Sequence, residues 1–180
     1  MTARVRRTEW QTRAELLSYM REHGARQIFL GEDAEAPQKY YSFTISSIDA
    51  TRVIGMQLSW SGIEPGLEFL GGDRVAIVGH DSRVTCIDVA EMKVVGCLRL
   101  WGTFYEFLSV GHRDEIVVLH ELGAVRVNTS AAPVWSVSTE IVASARVNED
   151  CVLVITLMEA GELRVAVESG AVVRPPLPHL

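Results

Sequence analysis

Three similar units follow one another in the last two thirds of the sequence, and they constrain the fold more than any other feature. Each unit has an apolar run, a short turn with Asp, Glu or Gly, a second apolar run, a second turn and two apolar residues. The units cover residues 73–95, 115–135 and 151–173, and their corresponding positions lie about 40 residues apart. Short apolar runs between turn residues predict β-strands. Residues 67–173 are therefore predicted to form an antiparallel strand repeat.

The second and third units carry the best match to a known kind of repeat. In residues 123–135 a Gly-Ala-Val start leads to Trp135, and in residues 161–173 a Gly-Glu-Leu start leads to Val173. This pattern resembles the β-propeller repeats of PQQ-like or WD-like proteins, although the Trp-Asp dipeptide is absent. The resemblance covers residues 67–173. It implies blade-like sheets and a protein that binds other molecules.

Two intervening stretches, residues 104–110 and 141–147, supply a fourth strand for each unit. The fold class predicted is mostly β, an antiparallel meander of three to four propeller-blade-like repeats with one N-terminal α-helix. Closed propellers generally have at least four blades, and strands at 41–60 form either a degenerate fourth repeat or a cap. An open ring would leave strand edges that the helix or another chain must cover.

The N-terminal segment, residues 1–66, begins with the only convincing helix signal. Thr12 and Glu15 have the spacing of a capping box, and Gly24 is a stop signal. Between them a single apolar stripe is predicted to pack on a sheet; it consists of Leu16, Leu17 and Met20, extended one turn by Trp10. Short strands are expected at 27–30, 41–46 and 53–60. The whole chain, 1–180, is one domain with an extended tail at 174–180.

Composition excludes several classes of protein. With 48% hydrophobic and 22% charged residues in 180, the chain has enough apolar residues for an ordinary core. A net charge of -6 argues against a nucleic-acid binder. The basic cluster of Arg4, Arg6 and Arg7 is predicted to be a frayed, solvated tail, with a phosphate-binding arm as the alternative.

Location and redox state follow from what the sequence lacks. No apolar run approaches the roughly 20 residues needed to span a bilayer, and there is no signal-peptide pattern, so the expected location is cytoplasmic without membrane contact. Cys86, Cys97 and Cys151 have no CxxC spacing and lie in apolar runs. They are predicted to be buried free thiols.

The acidic and histidine residues in the turns are the main candidates for chemistry. His80, Asp81, His120, Glu121 and Glu159 fall at the same hairpin of successive units and would share a rim if the units stack. Such a rim could bind a metal such as zinc or a polar ligand; otherwise these residues are simply polar groups in exposed turns. The triplet of residues 80–82 has the residue types of a hydrolytic triad, but adjacent residues in a tight turn do not form one.

A second candidate surface is aromatic. Trp101, Phe104 and Tyr105 lie close together in the sequence, and Tyr and Trp are enriched at interface hot spots, although core packing is the alternative. No catalytic motif, cofactor motif or metal-binding motif is present.

The leading hypothesis is a non-catalytic protein-interaction module whose partner is another protein. The alternatives are a self-associating protein that completes a sheet or ring as a homo-oligomer, a protein that neutralises a bacterial toxin in the manner of immunity proteins, and a metal or small-ligand binder or enzyme that uses the histidine and acid rim. No cofactor is expected.

Overall fold

In the computed structural model the described residues are 4–24, 26–31, 38–47, 50–59, 63–159 and 161–173. They form one helix and fifteen strands: β1 (Arg4–Trp10), α1 (Arg13–His23), β2 (Arg26–Leu30), β3 (Lys39–Ser46), β4 (Thr51–Leu58), β5 (Gly66–Leu70), β6 (Val75–His80), β7 (Arg83–Asp88), β8 (Lys93–Arg99), β9 (Phe104–Leu108), β10 (Glu115–His120), β11 (Gly123–Asn128), β12 (Pro133–Ser138), β13 (Val142–Val147), β14 (Val152–Leu157) and β15 (Gly161–Ala166). This confirms a mostly β chain with an N-terminal helix. No helix among these residues is long and apolar enough to cross a membrane.

The strands form four sheets, which confirms the blade-like repeats. Three sheets are antiparallel meanders in chain order: β5 to β8, β9 to β12, and β13 to β15. The first sheet has the order β1-β3-β4-β2, and its β2 runs parallel to β4. The fourth sheet has three named strands, and an isolated bridge from Val165 to Val172 marks the place of an outer strand. Trp60 and the predicted tail at 174–180 lie outside the described residues.

The sheets stack face to face, and a separate apolar core fills each of the three interfaces between neighbouring sheets. The first core joins the first and second sheets, the second joins the second and third, and the last joins the third and fourth. Side chains that are at most 1% exposed include Met56 and Ile87 in the first core, Ile77 and Val118 in the second, and Leu119 and Ile155 in the last. Burying alternate residues on both faces of each inner sheet therefore holds the stack together.

Helix α1 covers the outer face of the first sheet. Thr12 and Glu15 form the predicted capping box, with the side chain of each bound to the backbone N–H of the other, and Gly24 follows the last helical turn. Leu16 and Met20 are buried against Val53 of β4. The predicted apolar stripe is confirmed, and the helix covers a sheet face rather than a strand edge.

The outer face of the fourth sheet is polar. Glu162 lies 3.6 Å from Arg146 and 3.5 Å from Arg164, measured between the carboxylate oxygens and guanidinium nitrogens. These side chains lie on the same face as Val154, which pairs with both arginine positions in the strand register. A charged outer face of this kind is typical of the terminal repeat of a stacked array.

Arg4, Arg6 and Arg7 lie in β1, so the prediction of a frayed tail was wrong. All seven residues of β1 pair with β3, from Arg4 opposite Ser46 to Trp10 opposite Tyr40. Since β1 is an edge strand with most side chains in solvent, it needs no alternation of apolar residues and lacks the usual sequence signal of a strand.

Trp10, expected to extend the apolar stripe by one helical turn, lies in β1 instead. Its indole Nε1 donates a hydrogen bond to Ser42 Oγ at 3.0 Å, and its ring packs beside the core under α1. The strand β3 is also buried on both faces, because α1 covers one face and the second sheet covers the other.

The cysteines differ from one another. Cys86 is buried between the second and third sheets, and this burial raises the pKa of its thiol to about 11, so the thiol is protonated at neutral pH. Cys97 and Cys151 are exposed, which corrects the prediction that all three are buried. Cys97 lies on the outer strand β8. The residues of β8 are exposed or only partly buried, so its apolar sequence does not indicate a buried strand.

A buried arginine joins the third and fourth sheets. Arg126 Nη1 donates hydrogen bonds to the carbonyl oxygens of Val167 at 2.8 Å and Glu168 at 3.3 Å. Its Nε lies 2.6 Å from Glu115 Oε2. Trp135 Nε1 also donates to the Val167 carbonyl, at 2.7 Å. The guanidinium of Arg126 and the indole of Trp135 thus link the third sheet to the backbone that follows β15.

Candidate functional site

The predicted rim is made of three hairpins on one side of the stack. Residues His80, His120 and Leu157 end the strands before these hairpins, as their pairing with the following strands shows. The two histidines are buried rather than exposed in turns. His120 Nδ1 accepts a hydrogen bond from Leu122 N at 3.3 Å, and burial lowers the pKa of its ring, so His120 is neutral at pH 7.

The acids of the first two hairpins hold the connections between sheets. Asp81 Oδ2 accepts a hydrogen bond from Ser59 N at 3.3 Å, on the chain that leads from the first sheet to the second. Glu121 Oε2 accepts hydrogen bonds from Thr103 N and Oγ1, each at 3.4 Å, on the next connection. Each carboxylate therefore binds its hairpin to the adjacent connection through hydrogen bonds within the chain.

The structure does not bring the predicted rim residues into one site. Glu159 is exposed in the third hairpin, where Leu157 takes the place that His80 and His120 have in the first two. Among the residues that the structure describes, no three His, Cys, Asp or Glu side chains are arranged to hold a metal ion.

The three aromatic candidates have different surroundings. Trp101 is 86% exposed on the connection between the second and third sheets. Phe104 is 1% exposed, and its ring packs against Gly79 so closely that an added Cβ there would lie 2.2 Å from it. Tyr105 is partly buried at the edge of a cleft. The structure therefore places Phe104 in the core and leaves Trp101 and Tyr105 at the surface.

Trp101 begins a continuous surface, which we call the hairpin ridge: residues 101–103, 121–122, 139–141 and 158–159. Backbone hydrogen bonds join these segments in order, from Glu121 N to Thr103 O (2.8 Å), from Thr139 N to Leu122 O (3.0 Å) and from Met158 N to Ile141 O (3.0 Å). Each hairpin therefore lies beside the connection that precedes it along the ridge.

The hairpin ridge combines exposed apolar groups with negative charge. Met158 is 67% exposed and Ile141 is 45% exposed, in addition to Trp101. The same segments contain Glu121, Glu140 and Glu159 and no Lys, Arg or His. Ile141 and Met158 were not predicted as surface residues, because Ile141 was assigned to the strand expected at 141–147. For Met158 the available signal was its position beside Glu159 in a predicted turn, where apolar residues are unusual.

A cleft of about 540 Å³ opens beside the ridge, between the inner strands β5 and β9. Its walls are formed by Arg7, residues 63–68 and residues 104–107. Burial raises the pKa of the Tyr105 hydroxyl, and the negative charge of Glu121 raises it further. The lining of the cleft includes aromatic residues, the carboxylates of Glu64, Glu68 and Glu106, and the guanidinium of Arg7.

Comparison with known proteins supports the fold. Neither the protein-family models nor the curated protein sequences give a match. The WD40 domain of Pan2 from Neurospora crassa resembles the chain with a TM-score of 0.50 at 17% identity, over 60% of this chain and 36% of that structure. BamB from Moraxella catarrhalis resembles it with a TM-score of 0.50 at 15% identity, over 75% of this chain and 41% of that structure.

The chain thus spans 36% and 41% of the lengths of these two structures. Both resemblances concern the fold alone, because the identities are low. Stacked antiparallel sheets in chain order, short hairpins and the two structural matches agree with one another. The chain is therefore a β-propeller-like repeat protein with four blade-like sheets.

Proposed function

We propose that this chain is a non-catalytic protein-interaction module that docks another protein on the hairpin ridge. The observation that carries the proposal is the exposure of Trp101, at 86%, on a segment joined through backbone hydrogen bonds to the segments of the exposed Ile141 and Met158. β-Propeller folds are commonly protein-interaction modules. Because a fold by itself does not define a function, the proposal depends on the ridge residues.

An exposed tryptophan is a suitable anchor for a partner. Its side chain can bury a large apolar area and still donate one hydrogen bond through the indole N–H. Tryptophans are over-represented at the centres of interfaces, where truncation of one residue often costs about 2 kcal/mol or more of binding free energy. Ile141 and Met158 extend the apolar contact, and methionine adapts readily to irregular surfaces.

The charge of the ridge favours a partner with a basic surface. Glu140 and Glu159 are exposed, and Glu121 lies between them and Trp101 in the order of the segments. The chain as a whole has a formal net charge of -6. Opposite charge on the partner would accelerate association and fix its orientation, with most of the affinity supplied by the apolar anchors.

Two observations favour docking of a different protein over self-association or catalysis. In the part of the chain that the structure describes, the outer face of the first sheet is covered by α1 and that of the fourth sheet carries charged side chains, which disfavours apolar contact with a second copy. Asp81, Glu121 and His120 have hydrogen-bond partners in the backbone of the same chain, which suits a structural role.

The proposal is tested by capture of a partner with matched variants. The tagged protein, the ridge variant Trp101→Ser/Met158→Ser and the control Val95→Ser/Val134→Ser are each incubated with an extract of the source cells. Val95 and Val134 are 45% and 47% exposed on β8 and β12, away from the ridge. We expect one protein that the unchanged chain and the control both retain and the ridge variant loses.

The purified partner then gives the affinity of each variant by calorimetry. We expect the ridge variant to bind at least about 30-fold more weakly, equivalent to about 2 kcal/mol, with unchanged thermal unfolding. Equal affinity of the ridge variant and the control would show that the ridge is not the docking surface.

A further inference from the structure

A second cavity, of about 390 Å³, lies on the face of the first sheet that α1 covers, beside the C-terminal half of the helix. All the side chains that line it carry N–H or O–H groups: Arg4, Arg6, Tyr19, His23, Thr44, Ser46 and Thr51. Among the described residues, no carboxylate lines this cavity. A lining of cations and hydroxyls without an acid favours a ligand that has negative charge and hydrogen-bond acceptors.

The strand register places these side chains on one face of the sheet. Arg6 lies opposite Thr44, and Thr44 lies opposite Val53, which packs against α1. Arg4 comes two residues earlier in β1 and shares this face, because side chains alternate along a strand. Arg7 lies on the other face, toward the second sheet. Two of the three arginines of the N-terminal basic cluster therefore belong to the cavity, as the alternative of a phosphate-binding arm requires.

A short chain of hydrogen bonds holds Arg6 at the cavity. Arg6 Nη2 donates to Tyr19 Oη at 2.9 Å, and Tyr19 Oη and Thr44 Oγ1 share a hydrogen bond of 2.9 Å. The two hydroxyls have two protons, and the bond between them uses one. Neither hydroxyl makes a further hydrogen bond with a described residue. One hydroxyl proton, on Tyr19 or on Thr44, is therefore without an acceptor.

This unpaired proton points to a ligand, because it lies where water has little access. Thr44 is 7% exposed, Tyr19 is partly buried, and both line the cavity. A shielded donor without an acceptor is unfavourable, and an anion in the cavity would supply the acceptor. The guanidinium of Arg4 makes no ion pair or hydrogen bond with a described residue, so its charge is available to the same anion.

The end of α1 beside the cavity has carbonyl groups that would repel an anion if they were free. Two of them have donors. His23 Nδ1 donates to the Tyr19 carbonyl oxygen at 3.1 Å, and Gly24 N donates to that of Met20 at 2.8 Å. The His23 ring also stacks on the Tyr19 ring, with centroids 4.4 Å apart. The imidazole is thus fixed at the cavity and adds positive charge there whenever it is protonated.

We propose that this cavity binds a phosphate group, either as inorganic phosphate or as a phosphate monoester. Arg4 and Arg6 balance its charge, and one of its oxygens accepts the unpaired hydroxyl proton. The planar fork of a guanidinium matches two oxygens of one phosphate. The formal net charge of -6 does not oppose such binding, because exposed charges more than about 10 Å away are largely screened. The hairpin ridge has no part in this site, so the inference is independent of the proposed function.

The test is an NMR titration of the ¹⁵N-labelled protein with sodium phosphate and with N-acetyl-phosphoserine amide. Sodium chloride is adjusted to keep the ionic strength constant. The cavity variant is Arg4→Gln/Arg6→Gln. The control is Arg74→Gln/Arg113→Gln, which removes the same charge from two exposed arginines that line another cavity of similar size, about 370 Å³.

We expect saturable shifts of the same amide signals with both probes, at least about tenfold weaker binding by the cavity variant and less than a twofold change in the control. The probe that binds more tightly identifies the source of the phosphate group as the free ion or a monoester. Equal weakening in the two variants would mean that any pair of arginines attracts phosphate, and shifts without saturation would mean that there is no site; either result overturns the proposal.

The unpaired hydroxyl is tested by a second pair of variants. Thr44→Val leaves the Tyr19 hydroxyl free to donate to the anion, so phosphate binding should weaken less than twofold. Tyr19→Phe/Thr44→Val removes both hydroxyls, and binding should weaken at least about fivefold. Equal affinities of these two variants would show that no hydroxyl proton serves the ligand and would overturn the assigned site.

Discussion

Replacing Arg126 by alanine is expected to lower the free energy of unfolding by about 3–5 kcal/mol, because it removes a buried guanidinium that links the third sheet to the fourth and pairs with Glu115 of its own sheet. The substitution leaves the carboxylate of Glu115 without its partner and the carbonyl oxygens of Val167 and Glu168 without one of their donors. Trp135 still donates to Val167, so the sheets keep one link. Urea denaturation followed by circular dichroism gives the change.

The fourth sheet supplies a matched control for Arg126. Arg164 has the corresponding place in β15, four residues into the strand as Arg126 is in β11, but its side chain is 44% exposed and lies on the outer face. Arg164→Ala is expected to change the free energy of unfolding by no more than about 1 kcal/mol. Similar losses for both substitutions would contradict the role of Arg126 as a link between sheets.

The second large effect is expected at Phe104. Phe104→Ala should lower the free energy of unfolding by about 3–5 kcal/mol, because it opens a cavity in the core between the second and third sheets. Gly66 and Gly79 lie against the Phe104 ring, and at these two positions there is no side chain that could move into the space. The same denaturation experiment measures the loss.

Trp101 provides the opposite expectation from the same stretch of sequence. Trp101→Ala should change the free energy of unfolding by less than about 0.5 kcal/mol, since the side chain is exposed, while it weakens partner binding. A large loss of stability at Trp101, or little loss at Phe104, would contradict the assignment of one residue to the surface and the other to the core.

Much of the fold was predictable because local signals agree with tertiary structure in the repeats. The turns at Asp81, Glu121 and Glu159 separate runs whose alternate residues face neighbouring sheets, so each run is a strand whatever its partner. The helix was predictable because Thr12 and Glu15 satisfy the first amides locally.

The remaining features depend on contacts distant in sequence. The strand β1 was missed because most of its side chains are exposed to solvent, so its sequence shows no alternation of apolar residues. Its pairing with β3 is a contact distant in sequence. His80 and His120 are buried, and Asp81 and Glu121 accept hydrogen bonds from the connection beside each hairpin. No local sequence pattern reveals that these connections lie next to the hairpins. The ridge and the cleft arise only when the sheets are stacked, since each draws residues from several elements.

We propose that a single chain is the complete unit, with its outer faces covered by α1 and by charged side chains and its hairpin ridge available to a different protein. Light scattering during size-exclusion chromatography tests this claim most directly, because a second copy would be visible as added mass. We expect a single species at the mass of one chain, 19.9 kDa, at all concentrations loaded. A stable species of twice that mass or more would contradict it and would mean that chains complete one another's sheets.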